Sequence, residues 1–230
     1  MTPDKLVAKY PRLWHMAHDG SWPSIVEHGL RCTSSLLDLY RVEGEARVAL
    51  ERRHRPVSVP IRRPGLPGAV VRDQIPMSDN ALVKCLDDEL TPADWYAILN
   101  GRVFFWPTRG RLSTLLNADT YRNDPQTVLT IDTRSLVDAY ADKIQLSPIN
   151  SGSTIMNPAR RGKLTFAHIA DFPLEDKRKR PRSDPPVAEV VVPDRVTSMT
   201  DHVLTVHCMR GDTILQEIWR SPRASADDGP

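Results

Sequence analysis

The stretch that decides the fold is Val187-Ala188-Glu189-Val190-Val191-Val192-Pro193. Its valines favour a buried β-strand, and Glu189 is the one carboxylate in the run. A buried strand excludes an ionised glutamate unless that side chain is paired or used. Glu189 is therefore the first candidate for a functional residue; the alternative is an edge-strand glutamate that faces water.

A second apolar run, Leu13-Trp14-His15-Met16-Ala17-His18, contains an imidazole and predicts another strand. The two strands together predict polar groups that face a cleft. For His15 the alternative is a histidine whose hydrogen bonds are satisfied within the core. His18 follows three residues later, so a strand turns the two rings to opposite faces, and no further ligands accompany them. We therefore expect no metal site.

Composition limits the class of protein. A chain of 230 residues that is 40% hydrophobic can bury a full core, and we expect one domain over residues 1–220 with a disordered tail over 221–230. The net charge of +2 gives no overall attraction to nucleic acid. Three distant cysteines argue against a disulfide framework and fit a reducing cytoplasm. The sequence has neither a signal-peptide pattern nor an apolar run of bilayer-spanning length.

Short helical and extended patterns alternate along the chain, which predicts an α+β fold. Prolines exclude regular helix over most of residues 55–78. The main predicted helices cover residues 33–40, 43–53, 91–100 and 111–116, and the main predicted strands cover residues 103–106, 127–131, 187–192, 203–207 and 213–218.

Five segments of the chain stand out together: the His15 strand, His28-Gly29-Leu30, Glu51-Arg52-Arg53-His54-Arg55, Val103-Phe104-Phe105-Trp106 and Ala188-Glu189-Val190-Val191-Val192. They occur in the order found in DarT-type ADP-ribosyltransferases, and the chain resembles that family over most of its length. It is also similar to uncharacterised bacterial relatives of that family that share the Leu-Asn-Gly-Arg-Val-Phe-Phe-Trp and Ile-Asn-Ser-Gly blocks.

The resemblance implies an ADP-ribosyltransferase-like split mixed β-sheet with surrounding helices, which binds NAD in a cleft and transfers ADP-ribose with release of nicotinamide. Breaking the nicotinamide bond builds positive charge on the ribose, and a carboxylate at the Glu189 position would stabilise it. The resemblance places Arg53 in the active site, with Arg52 and Arg55 as alternatives because the register is ambiguous. A solvated basic helix end is the other interpretation of this run.

The resemblance also implies a set of NAD-binding residues. His15 and Met16 would lie at a ribose, because an imidazole offers a donor and an acceptor to a vicinal diol. Arg102 would meet a phosphate, and Phe105 or Trp106 would stack on nicotinamide, although core packing is the alternative for these rings. Ser151 and Gly152, in a small hydroxyl-rich loop or a plain turn, would lie close to the ligand.

The acceptor follows less directly from the sequence. Lys177-Arg178-Lys179-Arg180-Pro181-Arg182 suits a polyanion, and by resemblance the acceptor is a base in single-stranded DNA, with RNA or a protein side chain as alternatives. Such an enzyme would be a toxin with a possible antitoxin partner. A catalytically silent module that binds NAD, ADP-ribose or nucleic acid and an RNA 2′-phosphotransferase-like enzyme are the competing hypotheses.

Overall fold

Antiparallel sheets and short helices build an α+β fold. The computed structural model describes residues 1–173 and 187–230. Proline and a capping side chain begin several helices; in α6, for example, Thr91 forms a capping box with Asp94. The α-helices of the described ranges are α1 Pro3–Lys9, α2 Trp22–His28, α3 Thr33–Tyr40, α4 Gly44–Arg52, α5 Asp79–Cys85, α6 Pro92–Asn100, α7 Arg109–Leu116 and α8 Thr133–Tyr140.

The strands form two larger sheets, ordered β1-β6-β11-β12 and β5-β9-β7-β8, and two small ones, β10-β2 and β3-β4. The principal predicted helices and strands are confirmed, with small shifts at their ends. The strands are β1 Arg12–His18, β2 Leu30–Arg31, β3 Val59–Ile61, β4 Ala69–Val71, β5 Arg102–Phe105, β6 Gln126–Asp132, β7 Gln145–Ser147, β8 Ala167–His168, β9 Glu189–Pro193, β10 Arg195–Val196, β11 Val203–Arg210 and β12 Thr213–Arg220.

The two larger sheets meet where β1 passes β5. An isolated antiparallel bridge joins Trp14 to Trp106, and each residue's backbone N–H donates to the other's carbonyl. One hydrophobic core fills the space between the sheets, with contributions such as Leu13, Phe105 and Val190. This junction fixes how β1 and β5 lie relative to each other, and the cleft opens beside it.

Glu189 lies at the first position of β9, opposite Ser147 of β7. Alternation along the strand turns Val190 and Val192 into the main core, while Val191 packs with Trp95 in a second core. Glu189 therefore lies on the same face as Val191, as the strand pattern predicts.

Two expectations are wrong. The sheet is not mixed, because every strand pair within the described ranges is antiparallel. The tail at 221–230 is not disordered, because it folds back onto β1: the buried Asp228 carboxylate accepts from Arg12, and Trp14 Nε1 donates to the Gly229 carbonyl at 3.0 Å. Polar composition favours disorder only when such long-range partners are lacking.

None of the helices in the described ranges is both long enough and apolar enough to cross a bilayer. The basic run Lys177–Arg182 lies outside the described residues.

Candidate active site

Glu189 is a buried carboxylate with one oxygen held and one free. The residue is 1% exposed, and its Oε1 accepts a hydrogen bond from the Ser151 backbone N–H at 3.0 Å. Oε2 has no hydrogen-bond partner among the described residues, and Glu189 lines a cavity. Buried carboxylate oxygens are normally paired, so the unpaired Oε2 makes Glu189 a candidate functional residue.

The environment of Glu189 makes its charge sensitive to pH. Burial raises the pKa of this carboxyl to about 7, against the opposing effects of the Ser151 hydrogen bond and of the positive charges of Arg111 and Arg161. Near neutral pH, protonated and ionised forms therefore coexist. Carboxyl groups tuned in this way are frequent in active sites.

His15 presents a defined tautomer to a second cavity. Its Nδ1 lies 2.8 Å from the Phe104 carbonyl oxygen, which only accepts, so Nδ1 carries the hydrogen and Nε2 is left as an acceptor. Burial lowers the pKa of His15 to about 4, with the nearby positive charge of Arg72 acting in the same direction. The imidazole is therefore neutral at physiological pH.

The two cavities are neighbours. We call them the His15 cavity, which also contains Met16 and His28, and the Glu189 cavity, which also contains Trp106 and Gly152. Each has a volume of about 450 Å³, within the range of small-molecule sites. Their shared wall residues are Thr33, Arg72, Arg102 and Phe104. Glu189 and His15 therefore line two adjacent cavities that share a wall, and we refer to the two together as the cleft.

Arginines give the Glu189 cavity its electrostatic character. The described residues place no carboxylate within 4.0 Å of the guanidinium groups that line it. Three of these four groups donate to neutral oxygens, as Arg102 does to Gln145 Oε1 at 3.1 Å and to the Ile98 carbonyl at 2.6 Å. The Nε of the fourth, Arg111, has no partner among the described residues. Unneutralised guanidinium groups in a cleft suit an anionic ligand. The four are Arg55, Arg72, Arg102 and Arg111.

Most of the residues predicted to bind NAD do reach the cleft. His15 and Met16 line the His15 cavity, Arg102 lines both cavities, and Gly152 lines the Glu189 cavity. Ser151 reaches the site through its backbone, since its N–H donates to Glu189. The fold thus brings the Ile-Asn-Ser-Gly loop, which contains Ser151, into contact with the Glu189 carboxylate of β9.

Two predicted residues lie elsewhere. The Arg53 side chain is 60% exposed and ion-paired with Glu45, because α4 ends at Arg52 and the chain then becomes extended. Arg55, two residues later, turns inward and lines the Glu189 cavity, so Arg53 is wrong as a cleft residue. Phe105 is fully buried in the main core, whereas Phe104 lines both cavities. Strand alternation separates the two rings.

The sequence analysis did not predict three cleft residues that contact one another: Arg72, Asp73 and Tyr121. Arg72 lies over the Tyr121 ring at 4.7 Å, and the Tyr121 hydroxyl donates to both oxygens of Asp73 at 2.9 and 3.0 Å. All three line the Glu189 cavity. The signal was weak, because Arg72 and Asp73 follow a short strand in the proline-rich segment and Tyr121 lies in a turn.

The fold and the cleft define a class: an α+β protein with two antiparallel sheets and a charged cleft beside their junction. The chain belongs to a family of unknown function, DUF7002, whose family model matches residues 11–203. The matched range contains both His15 and Glu189. A search of curated proteins found no match to the chain.

Proposed function

We propose that this protein is an NAD-dependent ADP-ribosyltransferase that acts on nucleic acid and releases nicotinamide. The observation that carries the proposal is the buried, unpartnered Oε2 of Glu189, a residue that lines a cavity sharing a wall with the His15 cavity. A carboxylate acceptor and an imidazole acceptor in one cleft match the hydroxyl groups of a sugar. The resemblance to DarT-type enzymes supports the same assignment.

NAD fits the division of the cleft into two parts. A dinucleotide has two nucleoside halves joined by a pyrophosphate, and each cavity has room for one half. Arg72 and Arg102 lie where the cavities meet and lack carboxylate partners within the described ranges. In this proposal their guanidinium groups hold the pyrophosphate, as planar donors do for phosphate oxygens.

The proposed reaction breaks the C–N bond between ribose and nicotinamide. Nicotinamide leaves with the electron pair, and positive charge develops on the ribose ring. Ionised Glu189 stabilises that charge and accepts a hydrogen bond from a ribose hydroxyl through Oε2. A nucleophilic atom of the acceptor then bonds to the ribose carbon and releases its proton. Attack by water instead would give free ADP-ribose.

His15 serves recognition in this scheme. Its Nδ1–H is committed to the Phe104 carbonyl, so Nε2 remains to accept from a second ribose hydroxyl. The neutral ring adds no positive charge near the ribose. This separates the role of His15 from that of Glu189.

A nucleic-acid acceptor suits the remainder of the Glu189 cavity. Phe104, Trp106 and Tyr121 offer aromatic faces on which a base can stack, and Arg55 and Arg111 offer positive charge for its phosphates. Single-stranded DNA is the first acceptor to test and RNA the second. Modification of nucleic acid would make the protein toxic to a bacterial host, with a possible antitoxin partner.

The test is to incubate the full chain with adenine-labelled NAD, adding single-stranded DNA, RNA or a protein mixture. We expect nicotinamide release and transfer of label to nucleic acid, both abolished by Glu189→Gln. Glu45→Gln is the matched control, because Glu45 is exposed on α4, away from both cavities.

Other outcomes would identify the competing hypotheses. Binding of NAD without nicotinamide release, unchanged by Glu189→Gln, would indicate a silent binding module. Turnover that requires a 2′-phosphorylated RNA would indicate a phosphotransferase. Intact NAD after long incubation with every acceptor would overturn the proposal.

A further inference from the structure

Arg161 is a buried arginine that no step of the proposed reaction uses. It is 2% exposed, and it donates to three backbone carbonyls: Nη1 to Ser151 at 3.0 Å and to Ser153 at 2.9 Å, and Nε to Ala159 at 3.0 Å. No carboxylate of the described ranges lies within ion-pairing distance of its guanidinium. A buried cation with only neutral partners is costly, so the position of Arg161 needs a physical explanation.

The carbonyls that Arg161 holds belong to the segment that contacts Glu189. The Ser151 carbonyl accepts from Arg161 and also from Trp95 Nε1 at 3.4 Å, while the Ser151 N–H donates to Glu189 Oε1. The guanidinium lies over the Trp95 ring, 6.0 Å from its centre. Arg161 and Trp95 together hold the Ser151 carbonyl, while the Ser151 N–H is bound to Glu189.

An arginine suits this place for two reasons. Its planar group offers several donors in fixed directions, so one side chain can bind carbonyls from different residues. Its positive charge also lies near Glu189 and favours the ionised carboxylate. A neutral amide would supply fewer donors and no charge.

We infer that Arg161 is a positioning residue for Glu189. Its guanidinium binds the carbonyls of Ser151 and Ser153 and so fixes the conformation of residues 151–153. In that conformation the Ser151 N–H binds Oε1 of Glu189 and leaves Oε2 for a ligand in the Glu189 cavity. The catalytic meaning of this arrangement rests on the proposed function, but the arrangement itself does not. Arg160, the preceding residue, differs in every respect: its side chain is exposed and ion-paired with Asp87.

The first test uses the unaltered chain. In an NMR titration without NAD, the Glu189 carboxyl carbon, the Ser151 amide and the Arg161 Nε–H resonances should change with one shared midpoint. The Arg160 Nε–H resonance serves as the control and should not follow that midpoint. Independent titration of Glu189, with no response from Ser151 or Arg161, would overturn the inference.

The second test uses Arg161→Gln, with Arg160→Gln as the matched control. Losing the nearby charge should raise the Glu189 midpoint by about one pH unit and cut NAD turnover about tenfold on the acid side of the profile. Arg160→Gln should change neither. Arg161→Lys, which keeps the charge but loses the planar donors, should shift the Ser151 amide resonance more than the Glu189 midpoint. A folded Arg161→Gln protein with an unchanged Glu189 midpoint would contradict the inference.

The two proposals fail separately. If the chain never turns over NAD but Glu189, Ser151 and Arg161 titrate together, the proposed function fails and the positioning role stands. If NAD turnover depends on Glu189 but the Arg161 resonance does not change as Glu189 titrates, the proposed function stands and the positioning role fails. Should neither Arg161 variant fold, the titration of the unaltered chain decides the question.

Discussion

The His15 cavity and the Glu189 cavity share a wall but treat their polar groups differently. In the first, the imidazole is neutral and one of its nitrogens is anchored to a backbone carbonyl. In the second, a carboxylate oxygen and the Nε of Arg111 are buried without partners within the described residues. In the proposed function, the His15 cavity recognises the ligand and the Glu189 cavity supplies the charged groups for the chemical step. Each prediction below tests that division.

The largest expected effect is on the chemical step. Glu189→Gln removes the charge that would stabilise the transition state but keeps a similar shape, so kcat for nicotinamide release should fall about 10²–10³-fold while NAD binding changes little. Steady-state kinetics together with calorimetric NAD titration measure the two effects separately. If NAD binding weakened as much as kcat fell, Glu189 would serve recognition as well as chemistry, and the two cavities would not have separate roles.

The second prediction is that the same substitution stabilises the protein. Burial raises the pKa of Glu189 to about 7, above its ordinary value of 4.5. Below pH 4.5 the carboxyl is neutral in both the folded and the unfolded state and costs little; as the pH rises from 4.5 through 7 its ionisation increasingly opposes folding, and the cost is constant at higher pH. Glu189→Gln should therefore raise the free energy of unfolding by about 3 kcal/mol at pH 8, and by little at pH 4.

Urea denaturation at the two pH values tests this stability change. Glu45→Gln should alter stability by less than about 0.5 kcal/mol at either pH, since Glu45 is exposed. A destabilised Glu189→Gln protein at pH 8 would mean that the ionised carboxylate is a structural group.

The third prediction concerns the pH dependence of turnover. Because the proposed reaction uses ionised Glu189, NAD turnover should fall about tenfold per unit below a midpoint near pH 7. Burial lowers the pKa of His15 to about 4, so His15 should add no second inflection between pH 5 and 8. A rate profile measured over that range separates the two groups. A midpoint near 4.5 would show that Glu189 is not buried during turnover.

The sequence reveals these two groups for the same physical reason. Glu189 and His15 are conspicuous because each interrupts a run of apolar residues, and the cost of burying a polar group makes such interruptions informative. Alternation then predicts that Glu189 shares a face with Val191. That much follows from the local pattern of one strand.

The errors come where local pattern leaves two choices. Alternation predicts that Phe104 and Phe105 face opposite sides, but the packing of the second sheet decides which one enters the core. Similarly, the end of α4 decides that Arg55 rather than Arg53 turns inward. The packed tail depends on Asp228 meeting Arg12, a partner 216 residues away that composition cannot reveal.

The smallest expected effect is at His15. His15→Ala removes one hydrogen-bond acceptor from the recognition side of the cleft, so the KM for NAD should rise about threefold to tenfold while kcat changes little. His15→Gln, which keeps a donor and an acceptor, should recover part of this affinity. His168→Ala, at an exposed histidine of β8, is the control and should leave both constants unchanged. A kcat loss at His15 as large as that at Glu189 would mean that the imidazole takes part in the chemical step, and the two cavities would then act as one catalytic site.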